Sequence, residues 1–369
     1  MSTASKNLVP GNLIHPGEIL SDELEAREIS QKNFAIKLGI QPSLLNEIIK
    51  GKRGITAEHA LLIGRELKMD PSIWINLQSN FELDKERVNQ KTLQRLFAID
   101  QWNMIESMIP VKFFKKQEVI SGDPIIDIPV IKSVYRINHL DQLPEAFNSP
   151  SMVHFRRSEK LSTDRINLTG WLNLVKYKAK NIVVSQFDSR KEKELISDLK
   201  NIIQQNLNVI DSCVATLSKY GIKLIVQIHP EKCPIDGVSF WSDGNPAVGL
   251  TIRHKRLDNF AFTLFHELGH IFSHLINNNN AEFIDIENNE GAAKDQNSIM
   301  ENEANCYAND KLIDKTAWDE FFSKSIRLHK SSVIEFAHSQ KIHPAIVKGR
   351  LSHELKSFSL PLDIDNSIN

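Results

Sequence analysis

The segment Phe265-His266-Glu267-Leu268-Gly269-His270 carries the strongest chemical signal in this chain of 369 residues. Two histidines four apart lie on one face of a helix, a turn above each other, so both imidazoles can reach a single Zn²⁺. Glu267, next to His266, then sits beside the ion and can take a proton from its bound water. The competing reading is a pair of surface histidines on an amphipathic helix. A catalytic zinc needs a third protein ligand and an open fourth position. Position 273 is Ser273 and position 276 is Ile276, so the pattern does not continue as HExxHxxGxxH. His274 would have to reach back across a full turn, so it reads as lying behind the ligands or as exposed. The better candidate for the third ligand lies in Met300-Glu301-Asn302-Glu303-Ala304-Asn305-Cys306-Tyr307-Ala308. Helical spacing puts Glu301 and Asn305 on one face and turns Glu303 elsewhere. Glu301 is therefore preferred over Glu303 as the ligand, and Asn305 is expected to hydrogen-bond a ligand histidine. An exposed acidic helix start is the plainer alternative.

Helix HELGHIFSHL, followed some thirty residues later by E-x-x-A-N-x-[FY]-A, resembles the ImmA/IrrE family of metallopeptidases. The resemblance implies His266, His270 and Glu301 as ligands and Glu267 as general base, in a gluzincin-like arrangement. Tyr307 stands where the family usually has Phe, and Lys311-Leu312-Ile313-Asp314 replaces the usual Leu-Leu-Met-Pro ending. All four proposed catalytic positions are retained.

The elements that would position these residues form the second half of a longer chain. With 41% apolar residues, the length suits two or three globular units. The net charge of −1 argues neither for nor against a nucleic-acid partner. Cys213, Cys233 and Cys306 lack metal-ligand spacing, which fits a reducing cytoplasm. A polar opening and the lack of any run of about eighteen apolar residues disfavour secretion and membrane spanning.

The first hundred residues read as successive helices. Pro16 to Glu28 comes first, followed by Gln31 to Leu38, capped by Ser30 and stopped at Gly39. A third runs from Pro42 to Gly51, and Thr56 caps Ala57 to Lys68. Asp70-Pro71 opens a fifth. Two short helices around a Gly turn are the helix-turn-helix plan, with the helix from residue 42 to 50 as the recognition helix. Gln41, Ser43 and Asn46 are placed for base edges or phosphates, and Lys50, Lys52 and Arg53 for the backbone. Residues 1 to 100 hold 13 Lys/Arg against 13 Asp/Glu, so binding would rest on that local basic cluster and on dimerisation. The run HPGEIL, then IS-Q-x-x-FA-x-x-LGI, then LNEIIKGKRGIT, then P-x-x-W-x-x-LQ, over about residues 13 to 83, resembles the Xre-type domain of HigA-family antitoxins. That resemblance implies a dimer that binds its own operator and holds a toxin partner.

Between these ends, helices are expected over Leu161 to Lys178 and Arg190 to Gln205, with a third ending at Gly221. Strands are expected over Lys223 to His229, Val238 to Trp241 and Ala247 to Ile252, as a small antiparallel meander with turns at Asp236-Gly237 and Asp243-Gly244. Gly249 to Arg253 either pairs as an edge with an extended substrate or only backs the core. His154-Phe155-Arg156-Arg157-Ser158 reads as a phosphate or acidic-ligand site, or as an exposed basic turn. His343, before Pro344, is either an oxyanion stabiliser or an ordinary helix-entry residue.

The expected architecture is α+β. An all-α helix-turn-helix domain (13–83) follows a flexible N-terminus (1–12). A helical connector and irregular stretch (84–150, irregular around Pro124 to Pro150) leads to a mainly helical zincin-like peptidase domain with a small antiparallel sheet (151–355), then a C-terminal tail (356–369). The expected function is a cytoplasmic, homodimeric transcriptional regulator that binds a double-stranded DNA operator. Its zinc peptidase would cut a repressor, a toxin or the chain itself. The alternative is an antitoxin-like repressor whose zinc domain senses a signal without cutting. A structural zinc is disfavoured, because such sites fill all four positions, mostly with Cys and His.

Overall fold

A computed structural model describes residues 13–148, 165–231, 233–286, 296–324, 329–357 and 360–369. The expected flexible N-terminus and the His154–Ser158 cluster lie outside the described residues. The chain divides into two compact units, Met1–Trp102 and Asn103–Asn369.

The first unit is helical throughout its described residues: α1 (Pro16–Ala26), α2 (Gln31–Leu38), α3 (Pro42–Ile49), α4 (Ala57–Leu67), α5 (Pro71–Arg87) and the start of α6 (Gln90–Ile105). The expected caps are in place. Ser30 Oγ accepts from the Asn33 N–H, Thr56 Oγ1 from His59 N–H, and Asp70 Oδ1 from Ser72 N–H. Gly39, in the left-handed region at φ 69°, stops α2 where a side chain would be strained. Leu20, Phe34, Leu45, Ile48, Ile63 and Trp74 are completely buried and form the core of this unit. Gly17 is where α1 meets α3: a Cβ there would stand 1.9 Å from the Ile48 carbonyl oxygen. The HPGEIL run therefore needs its glycine for packing.

In the second unit, α7 (Val111–Lys116) and α8 (Pro124–Tyr135) precede α9 (Arg165–Lys180), α10 (Glu192–Gln205) and α11 (Val209–Lys219). Residues 124 to 135 are thus helical, where an irregular stretch was expected from the prolines. Pro124 occupies the first turn, where no N–H is needed, with Asp123 Oδ1 capping Ile125 N–H. Buried Ile128, Ile131 and Val134 supply the packing that carries Pro129 inside the helix.

The sheet holds β1 (Lys223–Val226), β2 (Ile235–Ser242), β3 (Asn245–Leu250) and β4 (Glu282–Ile286), ordered β1-β3-β2-β4. It corrects the expected antiparallel meander in three ways. First, β1 pairs with β3 in parallel, so the sheet is mixed. Second, β3 is interior, and the start of the proposed substrate-pairing stretch Gly249 to Arg253 is flanked by β1 and β2. The sheet's edges are β1 and β4, the latter lying beyond the expected strands. Third, Asp236-Gly237 lies inside β2 at a register shift, whereas Asp243-Gly244 makes the expected turn with both residues at positive φ.

Helix α12 (Leu257–His270) runs beneath the sheet and is continued by a π-turn over Ile271–Leu275, followed after β4 by α13 (Gln296–Leu312). Helices α14 (Lys315–Lys324), α15 (Lys330–Ser339) and α16 (Pro344–Glu354) complete the unit. Phe260, Leu264, Phe265 and Leu268 of α12 join Leu195, Leu199, Val333 and Val347 in one core. The last residues are docked as well: Leu362 and Ile364 are buried in that core, and the Leu257 N–H donates to the Asn366 carbonyl.

A candidate metal centre and an exposed helix face

His266, Glu267 and His270 are 2%, 0% and 1% exposed, respectively, which rules out a pair of surface histidines. The two rings converge, with Nε2 to Nε2 at 3.1 Å. Glu301 closes the triangle from α13: its Oε2 is 3.2 Å from His266 Nε2 and its Oε1 3.6 Å from His270 Nε2. Donors held roughly 2.0–2.1 Å from a tetrahedral Zn²⁺ stand about 3.3–3.4 Å apart, so separations of this size suit side chains that could hold one ion.

Close approach of two helices brings that carboxylate into place. A Cβ on Gly269 would stand 3.0 Å from Ala304 Cα and 3.1 Å from Tyr307 Cβ. The small residues Gly269 and Ala304 thus set the distance across which Glu301 reaches. Asn305, one turn further along α13, puts Oδ1 2.9 Å from His266 Nδ1, the expected hydrogen-bond contact with that ring. Glu303 does not join the triangle. Its carboxylate is 2.9 Å from His274 Nε2, and His274 Nδ1 is 3.1 Å from His270 Nδ1.

Glu267 is completely buried, and neither carboxylate oxygen has a hydrogen-bond partner. The Ser239 hydroxyl approaches it without reaching hydrogen-bond geometry. Burial drives this carboxyl well above the ordinary carboxylate range, opposed by nearby His266 and assisted by Asp285. Gly237 makes room for it: a Cβ there would fall 2.1 Å from Glu267 Oε1. An unpaired buried carboxylate beside a ligand triangle has the position and desolvation of a general base.

The ligand groups polarise one another. Burial alone would lower His266, but Glu301, Asp285 and Glu267 outweigh it and hold the imidazole up to about 9. Burial pulls His270 below its usual value despite Glu301. Glu301 is pushed up by burial, yet its bonds to the two imidazoles win and hold it down to about 2.

Strand β4 adds residues the sequence reading missed. Phe283 stacks on the His270 ring at 4.4 Å and 11°, and Asp285 forms a second close group with His266 and Glu267. The available signal was the alternation of Phe283 and Asp285, which places both on one face of a strand. His343 has the helix-entry role: its Nδ1 accepts the Ala345 N–H at 3.2 Å as the cap of α16, and its acidic neighbour is Asp365.

In the first unit, Gln41, Ser43, Asn46, Lys50, Lys52 and Arg53 are all exposed, Gln41 just before α3, Ser43 and Asn46 on it, and the three basic residues at its end and in the turn after it. Leu45 and Ile48 anchor the opposite face of α3, and the Gln41 side chain takes no part in capping. Arg53 leans 3.7 Å from Glu47, an exposed pair that is cheap to open.

No family model matches the chain. The N-terminal region is 40% identical over 92 residues to virulence-associated protein I of Dichelobacter nodosus, a match covering 23% of this chain and 83% of that protein. It is 30% identical over 83 residues to the uncharacterized HTH-type transcriptional regulator YddM of Escherichia coli K12, covering 22% of this chain and 88% of that protein. Among solved structures, a HigA-family addiction module antidote protein from Coxiella burnetii is 35% identical, with 20% of this chain and 82% of that chain covered and a TM-score of 0.20. The Pseudomonas aeruginosa antitoxin HigA, solved with the higBA promoter, is 37% identical, with 22% and 91% covered and a TM-score of 0.21. Among the described residues, no helix is long and apolar enough to cross a membrane.

Proposed function

The N-terminal region belongs to the helix-turn-helix transcriptional regulators and resembles those of HigA/Xre type; from that premise we propose that the chain couples operator binding to zinc-dependent peptide hydrolysis. The observation that carries the hydrolytic half is Glu267: a completely buried carboxylate without a hydrogen-bond partner, beside three convergent side chains that could hold a metal.

His266, His270 and Glu301 would hold the ion, and their imidazole and carboxylate donors suit Zn²⁺. When bound, the ion supplies Lewis acidity toward a peptide carbonyl and makes a water more acidic. Glu267 takes the proton of the attacking water and returns it to the departing amine, for which its raised affinity for a proton is suited. Gly237 keeps space for that carboxylate, and Asn305 fixes the His266 ring. The edge strand for an extended peptide is β4, which carries Phe283 and Asp285, instead of β3. The substrate is a protein: a bound regulator, a toxin partner or the chain's own segment between its two ends.

The DNA half rests on the exposed helix face. Gln41, Ser43 and Asn46 address base edges, Lys50, Lys52 and Arg53 address phosphates, and two copies pair to read a two-fold operator. The rival reading, a zinc-loaded sensor that never cuts, draws on the complete burial of Glu267. Glu267→Gln separates the two. Under the proposal the purified variant keeps zinc and operator binding but no longer cleaves the partner or itself. Identical behaviour of variant and parent, read by mass spectrometry of the products, rejects the protease.

A further inference from the structure

The π-turn after α12 brings a third imidazole behind the ligand pair. His274 Nδ1 faces His270 Nδ1 at 3.1 Å, and His274 Nε2 faces Glu303 Oε2 at 2.9 Å. The turn is a true π-segment, with the Ile276 N–H donating to the Ile271 carbonyl five residues back, a local rewinding frequent at functional sites. The His274 side chain is 9% exposed, whereas that of Glu303 is 58% exposed. Phe283 covers both rings, 4.4 Å from His270 and 5.2 Å from His274 between centroids.

We propose that His274 and Glu303 are a positioning pair for His270, fixing which ring nitrogen carries hydrogen and so aiming the other at the metal. This inference rests on the proposed metal centre. A ligand imidazole presents a bare Nε2 only if its hydrogen sits on Nδ1. The Nδ1–H of His270 then needs an acceptor, and the atom facing it is His274 Nδ1. That nitrogen must be bare, which leaves the hydrogen of a neutral His274 on Nε2, pointing at Glu303. An ionised carboxylate only accepts, so it sets the direction of the whole chain. Each link has one consistent orientation, and its outcome is a lone pair on His270 Nε2 facing Glu301 and His266.

The two ligand histidines are thus oriented from the same helix by different means. Asn305 accepts from His266 Nδ1–H directly, at 2.9 Å. The equivalent nitrogen of His270 is reached through His274. Both His274 nitrogens are engaged, one by His270 and one by Glu303, so His274 is not itself a ligand. As an ion pair, Glu303 is too exposed to add much stability. Its effect lies in the direction it imposes on a buried ring.

The test is Zn²⁺ affinity of the full chain, measured by competition with a chromogenic chelator, beside total zinc per chain at saturation. His274→Phe keeps an aromatic ring against Phe283 and removes both nitrogens. It is expected to weaken zinc binding about 10–100-fold while still reaching one ion per chain. His274→Asn places an amide oxygen where Nδ1 stood, and it should recover most of that loss. Glu303→Gln should weaken binding in the parent but change nothing in the His274→Asn background. Equal affinity of the parent and His274→Phe overturns the pair, and so do equal losses in the Phe and Asn variants, which would mean His274 only fills space. If His274→Phe does not fold, Glu303→Gln in the two backgrounds decides by itself. Failure of the parent to take up zinc removes the metal centre itself, a different result from parent and variant binding alike.

Discussion

The two units handle their functional residues in opposite ways. In the first, the six proposed DNA-contacting side chains stand exposed on or beside a helix whose inner face carries the packing. In the second, the proposed base and both imidazole ligands are almost completely buried in a helix that is also the centre of the core. A recognition surface can be changed with little cost to its fold, because the atoms that read a partner are not the atoms that hold the helix. A buried reaction centre has no such separation. Gly237, Gly269 and Ala304 serve the site only by being small, and the same smallness sets strand and helix spacing.

That contrast breaks most sharply at Glu267. Glu267→Gln should lower cleavage by about 10²–10⁴-fold with zinc content unchanged, measured as initial rate of product formation. Gly237→Ala comes next. Its methyl would collide with the Glu267 carboxylate, so activity should drop well beyond any change in zinc stoichiometry or in helical content by circular dichroism. Retained activity would remove the idea that this glycine makes space for the base. Third, Glu301→Ala should abolish stoichiometric zinc, while Glu303→Ala should leave one ion per chain bound more weakly; elemental analysis ranks the two. The reverse order would exchange their roles.

The first unit should respond on a different axis. Lys52→Ala with Arg53→Ala should weaken binding to all DNA sequences and reduce the salt slope by roughly 2 × 0.9. Its unfolding midpoint should barely move, since exposed substitutions usually change stability by less than about 0.5 kcal/mol. A large loss of stability would erase the contrast between the units.

The smallest expected effect is a pH dependence of metal-stripped protein. Glu301 is held down to about 2 in the folded chain, so its contribution is present above its unfolded value and fades as pH falls toward 2. His266 is held up to about 9, so its contribution is full below its unfolded value and fades as pH rises through 9. Both contributions are complete between those unfolded values, near pH 4.5 to 6.5, where the buried Glu267 and His270 act against them, so the check is the difference between parent and variant: Glu301→Gln should lose less of its urea midpoint on acidification than the parent.

Much of this molecule was legible in local sequence. The helices of the first unit follow from caps and stops such as Ser30, Gly39, Thr56 and Asp70, each acting within a turn of its own position. The pairing of His266 with His270 follows from helix periodicity, and the preference for Glu301 over Glu303 from the same rule applied to a second helix. These inferences needed only neighbours along the chain.

What the tertiary structure decided involves residues distant in sequence. Strand order placed β3 inside and β4 at the edge, because pairing of β1 with β3 depends on contacts across a long connection that no short window encodes. Asp236-Gly237, a turn by composition, became a cradle for Glu267 once β2 lay across α12. Pro129 entered a helix because burial of Ile128, Ile131 and Val134 outweighed a missing hydrogen bond. The physical reason is common to all three. Local sequence sets which conformations are cheap, while burial against distant partners selects among them.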